Sequence, residues 1–483
     1  MKLKELLAGV DIINLCADEN MEITGIAYDS RKVQPGDLFV AVSGFAADGN
    51  RFIPMAMEKG AVAVVTAKAP GTNVPYAQVK SDRLAMAQIG ANFYGKPAEA
   101  MQVIGVTGTN GKTSTTLLLK HVLETVQGAK VGLIGTMENL IGDEVIPSQR
   151  TTPESLDLQA LFARMRDAGC SHVIMEVSSH AIALDRVGGL SYKVAAFTNL
   201  TEDHLDFHKT MEEYAAVKAK IFSRCDKAVI NRDDSWAEFM LSKATCPVLT
   251  TSQKTAAGLY ATDVQLLSDG VSFTAVYSDR KAKVCLPIPG KFTVYNAMSV
   301  LGIALQLGID LGAAAEALKT AKGVKGRVEV VPTPGKDYTI LIDYAHTPDG
   351  LENVLSSVRG FCKGRLIALF GCGGDRDPIK RPIMGKIGTE LSDIAILTSD
   401  NPRTEEPGAI LQDILKGVDV AKYNPVVLEN RPQAIRYAMD IAKKDDIIVL
   451  AGKGHETYQE INGVKYPMDE RLIVEAYLKE GLA

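Results

Sequence analysis

Residues 103–114 read VIGVTGTNGKTS. The run VIGVT has the apolar character of a buried strand's end. Glycines stand at 105, 108 and 111, and Lys112 leads into LLLKHVLETVQ, whose apolar spacing is helical. A strand, a glycine-rich turn and a helix start form a phosphate cradle. Its glycines bring backbone N–H groups to phosphate oxygens, Lys112 neutralises charge, and the Thr113 hydroxyl can ligate Mg²⁺. Gly108, Thr109, Asn110, Gly111, Lys112, Thr113 and Ser114 are therefore the expected ATP contacts. The strict phosphate-loop pattern places a glycine five residues before Gly111, where this chain has Val106. The loop implies a nucleotide without saying how it is used. A kinase or GTPase fits the loop, but no guanine-specifying Asn-Lys-x-Asp is evident in the central segment.

Working outward, VIMEVS, VAAFTN and AVIN read as further strands between helical stretches, which predicts a largely parallel sheet. Upstream, ITGIAYDSRKVQPGDLFVAV reads as two strands about a turn, and IPMAMEKGAVAVVTA as a helix stopped by Gly60 before a strand. The first residues, MKLKELLAGVDIINLCADEN, read as an amphipathic helix and not a signal peptide. Downstream, residues 259–288 alternate apolar and polar around Asp269-Gly270, as antiparallel hairpins do. From Arg327 the runs YTILIDYA, RLIALFG, AILTSD, PVVLEN and IIVLAGKG mark a second α/β unit. The expected fold class is α/β in three domains: 1–98, 99–326 and 327–483.

Ligands of open α/β sheets bind beyond the carboxyl ends of the strands. Four of the last five runs are followed there by polar or glycine-rich loops: Asp343 to His346, Gly371 to Arg376, Asp400 to Arg403, and Gly452 to Glu456. One such loop is ordinary; four at equivalent strand ends predict a built site.

Composition sets the outer bounds. The 483 residues suit about three domains, and 46% hydrophobic with 23% charged residues is a globular balance. A formal net charge of −5 argues against nucleic acid as a partner. No stretch has the roughly 18 apolar residues of a membrane span. Seven scattered cysteines without a CxxC pair fit a reduced cytosol. Cys372, in its glycine-rich loop, is expected to pack beside a tight turn. A cytoplasmic monomer acting on small molecules is the expectation.

Two further stations follow strands of the phosphate-loop segment. MEVSSH carries Glu176, Ser178 and Ser179; TNLTEDHLDFH carries Asp203, His204, Asp206 and His208. Oxygen donors with one histidine and no thiolate suit Mg²⁺ or Mn²⁺ better than Zn²⁺. Glu176 and His204 are the residues favoured for a metal; Asp203, Asp206 and His208 are expected to be caps or solvated charges. Lys218 in YAAVKAKIF reads, on helix spacing alone, as a surface lysine.

DSRKVQPGDLFVA, GVTGTNGKTS, MEVSSH, TNLTEDHLDFH, YAAVKAKIF, YNAMSV, KGRVE, DYAHTPD, FGCGGDRDPIKRPIM, SDNPR and AGKGHE occur in this order across almost the whole chain. Together they resemble the Mur ligases of peptidoglycan synthesis. The resemblance implies a UDP-binding first domain, a central ATPase domain, and a C-terminal Rossmann-like domain that brings the amino acid. It implies ATP-dependent phosphorylation of a carboxylate, then attack of an amine on the acyl phosphate. The member it points to adds meso-diaminopimelate to the D-glutamate of UDP-N-acetylmuramoyl-L-alanyl-D-glutamate.

Carried over on that basis, Lys112, Glu176, His204 and Lys218 would be catalytic. Thr113, Glu176, His204 and a carbamylated Lys218 (N6-carboxylysine) would serve Mg²⁺. Ser30, Thr151, Thr152, Ser178 and Arg186 would hold the UDP-muramoyl-dipeptide, and Asn296, Arg327 and Asp343 would contact ATP. Arg376, Asp400, Asn401, Arg403, Gly452 and Glu456 would hold diaminopimelate. Arg403 would read the carboxylate that lysine lacks, since a guanidinium pairs with a carboxylate through two parallel hydrogen bonds. His346 and His204 are the candidate bases for the attacking amine. Two positions depart from the family pattern: Leu184, where some relatives have glutamine, and Asn50, where histidine can stand. A folylpolyglutamate-synthase-like ligase shares the phosphate loop and architecture but is disfavoured by the DSR segment. A binding protein that kept the fold and lost the chemistry is disfavoured by the intact Lys112, Glu176, His204 and Lys218.

Overall fold

The computed structural model describes residues 1–44, 48–71, 73–267 and 269–480. They form two compact units: Met1–Leu259 with Ser299–Ala314, and Tyr260–Met298 with Ala315–Ala483.

The first unit begins with a five-stranded sheet. Its order is Ile12–Cys16, Tyr76–Val79, Ala63–Thr66, Asp37–Ala41, Gly25–Ala27. All neighbours are parallel except the first pair. The helix expected at the N-terminus is a single turn, Leu3–Leu6. A helix of one turn has barely passed its costly nucleation. Gly9 adopts φ 77° beyond it, and the β-branched pair Ile12-Ile13 opens a strand that pairs with Tyr76–Val79 instead. Helix Asp82–Phe93, capped by Ser81 (Leu84 N–H to Oγ, 3.3 Å), packs on helix Ser155–Asp167.

The larger sheet of this unit runs Glu144–Pro147, Glu138–Ile141, Val131–Ile134, His172–Glu176, Gln102–Thr107, Tyr192–Phe197, Cys225–Asn231, Val248–Ser252. From Val131–Ile134 onward its neighbours are parallel. Buried Phe162, Met165, Met175, Phe197 and Phe222 pack in one core cluster, each stabilising the fold by about 1.5–3 kcal/mol. Register aligns Glu176 with Val106 and Phe197 with Thr107. The phosphate loop and the segments after Glu176 and Phe197 therefore leave one edge together.

In the second unit, Gly270–Tyr277 and Arg280–Leu286 form an antiparallel pair beside Leu259–Leu267. A separate sheet runs Glu329–Val331, Thr339–Asp343, Ile447–Ala451, Leu366–Phe370, Ile394–Leu397, Val426–Val427. Only its first pair is antiparallel. Leu366–Phe370 and Ile447–Ala451 are buried at every position, as parallel strands covered on both faces must be. Cys372 is buried with its Sγ 3.6 Å from Met384 Sδ, and burial pushes its thiol up to about 12. It is a packing residue, as expected. Among the described residues no helix is long and apolar enough to cross a membrane.

Candidate active site

The phosphate loop is held from both sides. Thr109 N–H donates to Asn199 O and Asn110 N–H to Asn199 Oδ1, both at 2.9 Å, while Thr198 Oγ1 donates to Asn110 O at 2.6 Å. Gly108 sits at φ 149°, and a Cβ there would overlap the Thr198 hydroxyl. Only glycine lets the loop lie so close to the next strand end. Lys112 folds its Nζ back to Gly108 O (3.0 Å) and Thr109 O (2.8 Å).

Glu176 is 1% exposed and anchors the neighbouring strand end. Its Oε1 accepts from the Thr113 hydroxyl and from Thr136 N–H, each at 3.0 Å, and its Oε2 from the Thr136 hydroxyl at 2.9 Å. Thr136 Oγ1 and Thr151 Oγ1 are 3.0 Å apart. Thr152 donates to Glu176 O at 2.8 Å and accepts from Ser178 N–H at 3.2 Å. Ser178 also caps helix Ser179–Ala183 through Ala181 N–H. Arg186 donates to Thr152 O at 3.3 Å and pairs with Glu154 at 3.0 Å, which Arg83 also approaches at 3.4 Å.

Lys218 is not on the surface. Its side chain is 1% exposed, and its Nζ donates to Gly108 O at 2.9 Å, the carbonyl that Lys112 also uses. It lies over the Tyr214 ring at 4.6 Å. Desolvation, then the charge of Lys112, holds its amine well below the usual lysine range. His204 adopts φ 55° and its ring stands 3.4 Å from Asp203 and edge-on to Tyr214. His208 is buried with its Nε2 2.8 Å from Ser179 Oγ, a structural role. The side chain of Asp206 lies outside the described residues.

Among the described residues no three His, Cys, Asp or Glu side chains gather as a metal cage. Mg²⁺ keeps waters and phosphate oxygens and takes only one or two protein carboxylates. The Thr113 hydroxyl beside the Glu176 carboxylate is an oxygen donor set of that kind.

In the second unit the strand-end loops interlock. Asp400 and Asn401 are buried. Asn401 Oδ1 accepts from Lys453 Nζ (2.8 Å) and Glu460 N–H (2.9 Å), and its Nδ2 donates to Glu456 Oε2 (2.9 Å). Arg403, at φ 52°, donates from Nη1 to Gly374 O (2.7 Å) and meets Glu460 through Nε (3.3 Å). A guanidinium has five N–H donors, so these two contacts fix its plane without exhausting it. Gly452 brings the backbone against Asp400, whose carboxylate a Cβ there would crowd. Arg376 is exposed.

Asp343 accepts from Val328 N–H and Ala345 N–H at 2.8 Å each, and burial raises its carboxyl above the usual range. Arg327 lies 5.1 Å over the Tyr344 ring. His346 Nδ1 is 2.8 Å from Tyr344 O, and the residue is exposed to solvent. Asn296 is buried on helix Lys291–Gln306. In the first unit the Ser30 hydroxyl lies 3.4 Å from Met55 Sδ.

Sequence reasoning missed Thr136, Asn199 and Lys453. Thr136 and Asn199 had no spacing signal, because each acts on residues brought near by sheet pairing. Lys453 had one: a lysine between two glycines at the end of a buried strand.

The geometry is that of a phosphate-loop enzyme with a second polar site on an α/β sheet. Three family models match in succession: the Mur ligase family catalytic domain over residues 22–102, the Mur ligase middle domain over 106–304, and the Mur ligase glutamate ligase domain over 326–454. The chain belongs to the Mur ligase family, whose members are ATP-dependent ligases using magnesium. It is 48% identical to the UDP-N-acetylmuramoyl-L-alanyl-D-glutamate--2,6-diaminopimelate ligase of Caldanaerobacter subterraneus subsp. tengcongensis, across 99% of both chains. A Clostridioides difficile relative of the same name is 46% identical over 99% of this chain and 100% of its own. A solved structure of a ligase with that name covers 100% of this chain and 99% of its own, at TM-score 0.77 and 32% identity.

Proposed function

We propose that this chain uses ATP to join meso-diaminopimelate to the D-glutamate carboxylate of UDP-N-acetylmuramoyl-L-alanyl-D-glutamate. The observation that carries the reading is the near-full-length similarity to ligases named for that reaction, at up to 48% identity. Three working parts are proposed along the chain, residues 1–98, 99–326 and 327–483, acting as a cytoplasmic monomer.

A carboxylate is a poor acyl donor because oxide is a poor leaving group; phosphorylation supplies a better one. Gly108, Thr109, Asn110, Gly111, Thr113 and Ser114 would cradle the ATP phosphates, with Lys112 offsetting the charge of one anion approaching another. Asn296, Arg327 and Asp343 would contact the remainder of the nucleotide. Thr113, Glu176, His204 and carbamylated Lys218 would hold Mg²⁺, which supplies charge neutralisation for phosphoryl transfer. Ser30, Thr151, Thr152, Ser178 and Arg186 would seat the muramoyl-dipeptide.

Carbamylation of Lys218 has a physical basis. Only a neutral amine attacks CO₂; its lone pair forms the N–C bond, a proton leaves, and a carboxylate results. The burial and neighbouring charge that depress the Lys218 amine favour the reactive form.

The attacking amine must lose a proton. His346 suits this role, because its Nδ1 lies against a carbonyl, which can only accept; Nδ1 therefore carries the proton and Nε2 the lone pair. Arg376, Asp400, Asn401, Arg403, Gly452 and Glu456 would receive diaminopimelate, with Arg403 on its distal carboxylate and Glu456 toward an ammonium.

The test is phosphate release by purified protein given ATP, Mg²⁺ and UDP-N-acetylmuramoyl-L-alanyl-D-glutamate. Release that depends on added diaminopimelate is expected. Its absence would sink the reading.

A further inference from the structure

Lys453 lies at the centre of the second unit's polar loops with its side chain fully buried. Its Nζ donates to Asn401 Oδ1 at 2.8 Å and to Glu456 Oε2 at 2.7 Å, and stands 3.7 Å from Asp400 Oδ1. The Tyr458 ring covers it at 5.3 Å. An ammonium has three donors, and here three oxygens from two different strand-end loops surround it.

This arrangement has two consequences. The first concerns orientation. Asn401 Oδ1 faces two groups that can only donate, Lys453 Nζ and Glu460 N–H. Its amide cannot flip without turning Nδ2 against both donors, so Nδ2 is held toward Glu456. The second concerns charge. Asp400 and Glu456 are two carboxylates beside one buried ammonium, which offsets one of them. The trio is left with a single net negative charge, which matches one ligand ammonium.

We propose that Lys453 is a positioning residue for the amino-acid substrate: it locks Asn401 and Glu456 in the orientation and charge state that receive diaminopimelate. It acts through those side chains rather than on the reacting atoms. The proposal rests on the diaminopimelate reading above.

The test is steady-state kinetics of the full chain carrying Lys453→Met, which keeps length and removes charge and donors, and Lys453→Arg, which keeps charge and alters geometry. Folding of each is checked by thermal melting. Lys453→Met is expected to raise KM for diaminopimelate about tenfold or more, as loss of charge-assisted hydrogen bonds does. KM for ATP and for the UDP substrate should stay within about threefold. Lys453→Arg should move the same constant in the same direction by a smaller factor, and it decides the matter if the methionine variant does not fold. An unchanged KM for diaminopimelate in a folded variant overturns the assignment, as does a rise of all three constants together, which marks a merely structural residue. A wild-type chain that ignores diaminopimelate overturns the underlying reading; a wild type that uses it beside an indifferent Lys453 variant overturns this proposal alone.

Discussion

Two lysine amines sharing one backbone carbonyl is an arrangement that electrostatics opposes. Lys112 and Lys218 both donate to Gly108 O, and Lys218 does so from full burial. Carbamylation would turn that liability into a carboxylate beside the phosphate loop. Protein equilibrated with ¹³C-bicarbonate should show a carbamate carbon signal by NMR that Lys218→Ala lacks; a wild type without it refutes the modification. Lys218→Ala should also lower the rate of phosphate release about a hundredfold, the scale of losing one preorganised electrostatic group. Lys112 and Thr113 were legible in the sequence because local spacing fixes them. Lys218 was not: its carbonyl partner lies 110 residues away in the chain, and helix periodicity alone made it a surface residue. Its proposed role rests on resemblance, and its burial is set by the fold.

At the scale of elements, the loops of the second unit depend on close backbone approach. Gly374 N–H donates to Asn401 O at 2.9 Å, and a Cβ on Gly374 would overlap the Pro402 carbonyl. Gly374→Ala should therefore cost about 1–3 kcal/mol in urea unfolding, and weaken diaminopimelate use through displacement of Arg403. The first sheet offers a pH test. The Arg31 guanidinium holds the Asp29 carboxyl down to about 2 from its usual 3.8. A depressed carboxyl stabilises the fold above its unfolded value and loses that contribution as pH falls through the folded one. Arg31→Ala should thus cost under about 1 kcal/mol at pH 6, since the pair is largely solvent-screened. Its melting temperature should converge on wild type between about pH 4 and 2. The strand-end loops were readable because apolar runs followed by polar turns form a local pattern. The N-terminal helix was misread for the opposite reason: pairing with Tyr76–Val79 decides that segment, and no local pattern reveals a partner sixty residues on.

At the scale of the whole molecule, the α/β class and the order of segments were written in the succession of motifs. What spacing could not supply was substrate identity, since a phosphate loop serves many chemistries; the proposed substrate rests on near-full-length similarity to named ligases. On the proposed reading, the loop holding Asp400, Asn401 and Arg403 would select an amino acid with a second carboxylate. Diaminopimelate and lysine should therefore be offered together, at equal concentration, to the wild type and to Arg403→Ala, with products weighed by mass spectrometry. Diaminopimelate tripeptide is expected almost exclusively from the wild type. Arg403→Ala should lose that product and keep ATP binding. Lysine tripeptide as the main wild-type product, or undiminished diaminopimelate product from the variant, would overturn this selectivity.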